Sequence, residues 1–417
     1  MRLLIVSQYF WPENFRVNDL ALALKQRGHD VTVLTGIPNY PEGAYFPGYG
    51  LFQKRAEDYN GVRVVRVPLV SRGKSKRLRL VINYFSFVLF ASLLGPFYCR
   101  GDYDAIFVFE TSPVTVGLPA IVLKWIKKAP IFFWILDLWP ENLSATGAVK
   151  SPAVLSAVGR LVRFIYSQCD RILISSKGFA KQVTSLGFTA ENIHYFPNWV
   201  EDAYWAQPKD SLPPDLARLP EGFRIVFAGN IGAAQSFEAI LAAAEILRGH
   251  KDIHWLIIGD GRMADWVNVQ IKERKLEDTF HMLGRHSPET VVDICAKADA
   301  LLVSLRPDPA FALTVPGKIQ SYLACAKPVI ASLDGEGAAL IAESGAGLAC
   351  PAGDARALAD AVSSLKAMPR EEREKMGGRG LEYCRRNFTR DGLIASLEGW
   401  LTEVAKKYNK PTDLGDL

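Results

Sequence analysis

The sequence predicts an α/β protein built from two Rossmann-like, doubly wound parallel sheets, and three observations carry that reading. Short apolar runs alternate with helix-period patterns from end to end, as βαβ units require. The 417-residue length exceeds what one hydrophobic core supports, which favours two domains of roughly 200 residues each. A polar, proline-bearing stretch from Asn198 to Pro220 separates two complete series of such units.

In the first half, strands are expected at Leu3–Val6, Val31–Thr35, Val62–Val67, Ala105–Phe109, Pro130–Leu136 and Arg171–Ser175, each followed by turn or helix-start chemistry. The second half restarts at Arg224-Ile-Val-Phe-Ala-Gly and continues with strands at Ile253–Ile258, Thr279–Leu283, Ala300–Ser304, Pro328–Ala331 and Gly347–Cys350. The hinge is placed near Pro197–Glu201. Apolar residues Leu393, Leu397, Trp400, Leu401 and Val404 give the segment from Asp391 to Lys407 helical periodicity. The expected domains are therefore residues 1–198, residues 199–387, a C-terminal helix over 388–407 and a frayed tail over 408–417.

Composition narrows the function. With 49% hydrophobic and 22% charged residues the chain is globular, and a net charge of +5 without an accompanying nucleic-acid motif does not point to RNA or DNA. Six cysteines without a C-x-x-C pair argue against a disulfide framework and a structural zinc site. The apolar run after Met1 is short and meets Gln8, Trp11, Pro12 and Glu13 at once, so it reads as a first buried strand rather than an export signal. A cytoplasmic location is expected.

The segment from Asp299 to Ser332 concentrates the chemistry. An apolar strand leads to a turn carrying Arg306, then to Thr314-Val-Pro-Gly-Lys318, a helix expected to open at Pro316, and a second strand. Two cations and free N–H groups at a helix start make an anion site suited to a diphosphate. Arg306 grips bidentately, Lys318 supplies a point charge, and Gly317 removes a side chain where phosphate must approach. The bland alternative is an exposed helix start with solvated charges.

These residues resemble the nucleotide-sugar site of the family 4 retaining glycosyltransferases, whose GT-B fold sets two Rossmann-like domains facing across a cleft with a C-terminal helix returning to the first. The run is similar to the Val-Pro-Ser-Lys-x-x-x-Tyr-Leu-Ala of WbuB-type O-antigen and capsule enzymes. The resemblance implies a nucleotide-sugar-binding second domain and an acceptor-binding first domain. Donor contacts are then expected from Gly229, Asn230, Gly232, Gln235, Gly259, Arg262, Thr314, Gly317, Gln320 and Ser321, with Arg306, Lys318 and Asp137 catalytic.

The chain also departs from that family. Leu313 and Ser321 stand where relatives carry two glutamates, which leaves Ser321 or Gln320 to hydrogen-bond a ribose hydroxyl. Asn230 and Gln235 stand where relatives carry Arg and Lys, so the diphosphate charge falls mainly on Arg306 and Lys318. Ile257-Ile-Gly259-Asp-Gly261 does not complete the dinucleotide fingerprint and is weak support for NAD.

In the first half, ligands of an open sheet bind beyond the carboxyl ends of strands, which directs attention to three loops. Asn14 and Arg16 follow the first strand as acceptor-binding candidates, or as a helix cap and a solvated charge. Glu110 follows the fourth. Asp137 and Glu141 follow the fifth, where relatives place a residue near the transferred sugar. Five cations, Arg72, Lys74, Lys76, Arg77 and Arg79, precede the apolar stretch Leu80–Tyr98, whose polar residues make a membrane span marginal and a buried or interfacial helix the better reading.

The implied activity is metal-independent, hexosyl- or N-acetylhexosaminyl-type transfer, without a cofactor, from a UDP-linked amino or deoxyamino sugar to an undecaprenyl-diphosphate-linked saccharide at the inner membrane surface. Two rivals remain: a GT-B UDP-sugar 2-epimerase, discriminated by release of epimerised donor without acceptor, and a non-catalytic assembly subunit.

Overall fold

The computed structural model describes every residue except 52, 74–76, 146, 210, 211, 214, 215, 217, 218 and 409–417, and for Arg77 the backbone alone. The chain divides into two units. The first holds Met1–Ser175, Phe179–Phe196 and the chain from Ile394 onward, and the second holds Ser176–Gly178 and Pro197–Leu393.

The first unit runs β1 (Arg2–Val6), α1 (Arg16–Gln26), β2 (Asp30–Gly36), β3 (Ala56–Tyr59), β4 (Val62–Val67), α2 (Arg77–Tyr98), β5 (Ala105–Glu110), α3 (Gly117–Lys127), β6 (Ile131–Ile135), α4 (Glu141–Ala145), α5 (Pro152–Ser167), β7 (Arg171–Ile174), α6 (Phe179–Ser185) and β8 (Ile193–Tyr195). Its sheet has the order β3-β4-β2-β1-β5-β6-β7-β8. Strands β5 and β6 are buried at every residue, as parallel strands covered on both faces must be. Trp134 lies at the centre of this core and donates its indole N–H to the Phe196 carbonyl at 2.9 Å.

Two strands were not expected from the sequence. β3 pairs antiparallel with β4 through Asn60-Gly61, both at positive φ, the turn that a two-residue hairpin favours. β8 is a three-residue, half-buried edge strand too short to leave an apolar run.

The second unit runs β9 (Phe223–Ala228), α7 (Phe237–Ile246), β10 (Ile253–Ile258), α8 (Ala264–Glu273), β11 (Phe280–Gly284), α9 (Pro288–Ala296), β12 (Ala300–Ser304), α10 (Pro309–Ala312), α11 (Lys318–Ala324), β13 (Val329–Ser332), α12 (Glu336–Ser344), β14 (Gly347–Cys350), α13 (Ala355–Ala367) and α14 (Arg370–Asn387). Its six strands are all parallel in the order β11-β10-β9-β12-β13-β14. Asp308 and Asp354 cap α10 and α13 by accepting from Ala310 N and Ala357 N, as acidic N-cap residues do.

The last helix, α15 (Arg390–Tyr408), packs within the first unit beyond Ile394. Trp400 stacks on His194 with ring centroids 4.5 Å apart, and Glu398 accepts from Arg27 Nε at 2.7 Å while lying 2.7 Å from His29 Nε2. The helix extends through Tyr408, one residue into the expected tail, and residues 409–417 of that tail lie outside the described residues.

Candidate functional site

In an open parallel sheet, the loops on either side of the point where strand order reverses splay apart and leave a ligand site at the carboxyl edge. In the second unit that point lies between β9 and β12. The loop after β9 and the loop after β12 are tied there, with Arg306 N donating to the Ala234 carbonyl at 2.8 Å. The loop after β10 closes on them. Gly229 and Gly259 have φ of 138° and 129°, and a Cβ at Gly259 would lie 1.9 Å from the Gly229 carbonyl oxygen, so this approach demands glycine. The Asn230 amide fills the space beside Gly232 and Gly261.

Lys318 reaches into this crowd. Its Nζ sits 3.5 Å from the Phe227 ring centroid, and a Cβ at Gly229 would meet its Cε at 2.8 Å. Nζ is shielded from solvent and has no hydrogen-bond partner among the described residues. Burial pushes its pKa down from the ordinary lysine range to about 7. Arg306 is half-exposed, 5.4 Å from the Phe311 ring and 3.9 Å from Asp308, a loose ion pair that can be exchanged. Gly317 is exposed with open space where a side chain would stand, and Arg262 is exposed. The Thr314 hydroxyl donates to Ala310 O at 3.1 Å and closes α10. A shielded ammonium, a nearby-loop guanidinium and a bare glycine turn can hold a compact anion of more than one charge.

In the first unit the order reverses between β1 and β5. The loop after β1 is fixed by Glu13, a buried carboxylate that accepts from Asn39 N and Tyr40 N at 2.7 Å each and is pushed up to about 7 by burial. Arg72 donates to the Tyr9 hydroxyl at 3.0 Å and lies 4.9 Å from the Tyr40 ring centroid. Tyr84 hydrogen-bonds Tyr9 and Ser112, and Asp137 is close enough to raise the Tyr84 pKa. Burial pushes the Asp137 carboxyl up to about 7. Tyr9, Arg72, Tyr84, Ser112 and Asp137 thus form one polar cluster at the carboxyl edge of the first sheet.

Two domain families match this chain: a glycosyl transferase 4-like domain over residues 14–199 and the glycosyl transferases group 1 over residues 222–367. The chain belongs to the family 4 glycosyltransferases. It is 29% identical over 323 residues to the probable glycosyltransferase WbjE of Pseudomonas aeruginosa, covering 72% of this chain and 76% of that one. It is 23% identical to the putative colanic acid biosynthesis glycosyl transferase WcaI of Escherichia coli K12, covering 78% and 81%. The fold is shared with HepE of Anabaena in complex with UDP at a TM-score of 0.65, 15% identity and coverage of 97% and 100%. The fold is GT-B.

For this glycosyltransferase the structure sorts the expected residues. Gly229, Asn230, Gly232, Gly259, Arg306 and Lys318 meet at or flank one loop. Gln235 turns its amide oxygen inward to accept from Gly232 N at 3.2 Å, so it shapes the loop rather than offering a free contact. Gln320 is buried, and with its amide nitrogen turned to Pro316 O and Gly317 O at 3.2 and 3.0 Å it holds the turn before α11. Ser321 is buried against the Tyr204 hydroxyl, which corrects its expected place at a ribose. The helix itself opens at Lys318 rather than Pro316, after a tight turn in which Ile319 N donates to Pro316 O.

Glu110 is also corrected. It is fully buried, burial and the neighbouring Asp137 charge raise its pKa well above the carboxylate range, and its Oε2 accepts weakly from Leu136 N and Asp137 N at 3.4 Å. It braces the Asp137 loop and cannot meet an acceptor. Asn14 is exposed and does not cap α1, whose N-cap is Phe15; Arg16 is half-buried in the first turn and has partners of its own. Glu141 opens α4 with Oε2 shielded and unpaired among the described residues. Phe227, Tyr9, Tyr84 and Glu13 were not singled out in the sequence. The aromatic-proline strings Tyr9-Phe-Trp-Pro12 and Tyr40-Pro41 were the available signal.

Replacing Lys318 by Met keeps the stem over Phe227 and removes a shielded charge that lacks an acceptor. Between a pH of about 7 and the ordinary lysine pKa the unfolded chain holds this proton more tightly, so wild-type stability rises with pH across that window and the penalty is complete below it. Lys318→Met should therefore raise the thermal midpoint at pH 6 by at least about 2 °C, with a smaller gain at pH 9. A lower midpoint at pH 6 would show that the ammonium is compensated.

Proposed function

We propose that the protein is a retaining glycosyltransferase of polysaccharide assembly that moves a UDP-linked, N-acetylated amino or deoxyamino sugar onto an undecaprenyl-diphosphate-linked saccharide at the cytoplasmic face of the inner membrane. The observation that carries the donor half of this reading is the shielded Lys318 ammonium at the β9–β12 edge, which has no hydrogen-bond partner among the described residues. A diphosphate arriving there gives Nζ its acceptor. The relatives' roles in glycosyl transfer and colanic acid synthesis, and the UDP bound by HepE, support the substrate class.

In this reading the bond from the anomeric carbon to the diphosphate oxygen breaks, and charge grows on the leaving group. Lys318 and Arg306 hold that charge, Gly317 and Gly229 let it approach, and Asn230 supplies a neutral donor. The acceptor hydroxyl attacks the same face, and a leaving-group oxygen takes its proton, so no carboxylate base is needed. Asp137, with a pKa near neutrality, orients the acceptor or sugar hydroxyl from the cluster with Tyr84. Asn14, Arg16 and Glu141 are assigned to the acceptor side by position alone. Because the protein's cations carry the diphosphate, no metal or cofactor takes part.

A donor screen against a lipid-diphosphate sugar acceptor, read by mass spectrometry, tests the activity, and turnover of donor without acceptor would instead favour the epimerase. Lys318→Ala and Arg306→Ala should each lower turnover about 30- to 1,000-fold, as expected for losing roughly 2 to 4 kcal/mol of transition-state stabilisation, with folding retained. Near-wild-type rates in either would remove that residue from the site.

Since an anion restores the Lys318 pKa towards its ordinary value, UDP binding at pH 8 should take up a proton. Affinity should then fall as pH rises from 7 to 9, by up to about tenfold per unit. Calorimetry in two buffers of different ionisation enthalpy measures that uptake, and none at pH 8 would place the diphosphate away from Nζ.

Treatment with EDTA should leave the rate unchanged. Loss restored by magnesium or manganese would instead direct attention to Asp137 and Glu141 as ligands.

A further inference from the structure

One face of α2 is unlike the surface of a soluble α/β domain. Leu78, Ile82, Phe85, Leu89, Leu93 and Phe97 recur at three- and four-residue spacing, and all six are exposed, Leu78 and Phe97 by more than two thirds. The opposite face carries Asn83, Phe87, Ala91 and Gly95, all buried, with Leu34 and Leu123 against Gly95. At 22 residues α2 is about 33 Å long, so the outer stripe is a continuous apolar ridge. On α3, which packs alongside, Trp125 and Ile126 are exposed as well.

The charge around this ridge is mainly basic, with the exposed Glu42, next to the Gly43 that accepts from Gly73 N, and the exposed Asp102 as nearby acids. From Ser71 to Arg100 the chain has six cations and no acid, and α3 ends in Lys124, Trp125, Ile126, Lys127 and Lys128 without an acid. Arg72 is turned inward to Tyr9, and Arg79 donates to Ser71 O and Oγ, so these two are not simply solvated. Lys74 and Lys76, and the Arg77 side chain, lie outside the described residues. Arg100 and Lys128 are exposed at the other end.

We infer that the outer face of α2, with the end of α3, docks on an anionic lipid surface and lies in its interface without crossing it. A span is opposed by what the inner face does. The Asn83 amide donates to Val70 O at 2.6 Å and accepts from Gln8 Nε2 at 2.8 Å, and Tyr84 bonds Tyr9 and Ser112. Crossing a bilayer would break these bonds and strip the cover from β2 and β4. A second copy of the chain is disfavoured because a two-fold contact would set the same cations against each other. Anionic headgroups complement them, and apolar side chains between cations enter the acyl boundary. The lipid then lies about one helix diameter, roughly 10 to 12 Å, from the loops that Asn83 and Tyr84 hold. This inference deepens the proposed lipid-linked acceptor but stands on the surface alone.

Flotation of the purified full chain with vesicles of phosphatidylcholine and phosphatidylglycerol, without donor or acceptor, tests it. Wild type should float, less so in high salt or with phosphatidylcholine alone, and should be released by alkaline carbonate. Phe85→Gln/Leu89→Gln/Leu93→Gln should lower the bound fraction at least about tenfold, with circular dichroism and UDP binding unchanged. Should that triple variant misfold, Arg100→Gln/Lys127→Gln/Lys128→Gln should still remove the preference for anionic vesicles. Wild type that does not float, equal flotation of the triple variant, carbonate-resistant insertion, or a dimer in light scattering that the triple variant dissolves would each overturn the inference. Activity on a short-chain soluble acceptor should persist in the triple variant, so a failed flotation and a failed glycosyltransferase assay are separate results.

Discussion

The Lys318 ammonium is held between the Phe227 ring and the Gly229 backbone, cut off from water and without an acceptor among the described residues. Much of the second unit's carboxyl edge is arranged around that position. Gly229 must lack a side chain to admit the lysine, and Gly259 must lack one to admit Gly229. Arg306 N is bonded to Ala234 O, so the strand-end loops on both sides of the reversal are fixed relative to the amine. A charge held without a partner opposes folding, and its retention is intelligible where a ligand supplies the partner. In the proposed reading, stability and anion affinity therefore pull in opposite directions at one atom.

The same arrangement accounts for the departures from the family pattern. With Asn230 and Gln235 in place of Arg and Lys, the loop after β9 contributes no charge, and Gln235 is occupied in bracing Gly232. With Ser321 and Gln320 committed to Tyr204 and to the Pro316–Gly317 turn, α11 presents no acid either. The loops after β9 and β12 and the start of α11 thus offer two cations, Arg306 and Lys318, and Lys318 has a pKa near neutrality. Donor binding should consequently be more pH-sensitive here than in a site with four cations.

What could be read from the sequence follows what each feature depends on. The central strands were legible because a parallel strand covered on both faces becomes an uninterrupted apolar run. β3 had a signal in Asn60-Gly61, but its half-buried Ala56-Glu-Asp-Tyr59 lacks the apolar alternation that would have drawn attention to it. In the sites, residues defined by close backbone approach, such as Gly229 and Gly259, were legible from their type. Gln320 and Ser321 were not, because on so short a helix a shift of one residue moves a side chain from ligand to core. The roles of Glu13 and Glu110 were hidden for another reason. Their carboxylates are fixed by N–H groups of Asn39 and Tyr40, and of Leu136 and Asp137, which sequence spacing does not bring together.

Helix α2 has two unlike faces. Its inner face carries both polar ties, from Asn83 and Tyr84, and small residues that let it sit close to the sheet, so the helix is part of the first unit's scaffold. A helix with that task in a water-bounded protein would place charged side chains outward, since nothing is gained by leaving Phe and Leu in water. Here the outward positions from Leu78 to Phe97 are apolar except for Arg79 in the first turn, and cations lie near the two ends of the helix. The sequence alone could not separate a core helix from an interfacial one, because both are rich in Leu and Phe. Only the docked position of Asn83, Phe87, Ala91 and Gly95 shows which face the fold uses and which it leaves exposed.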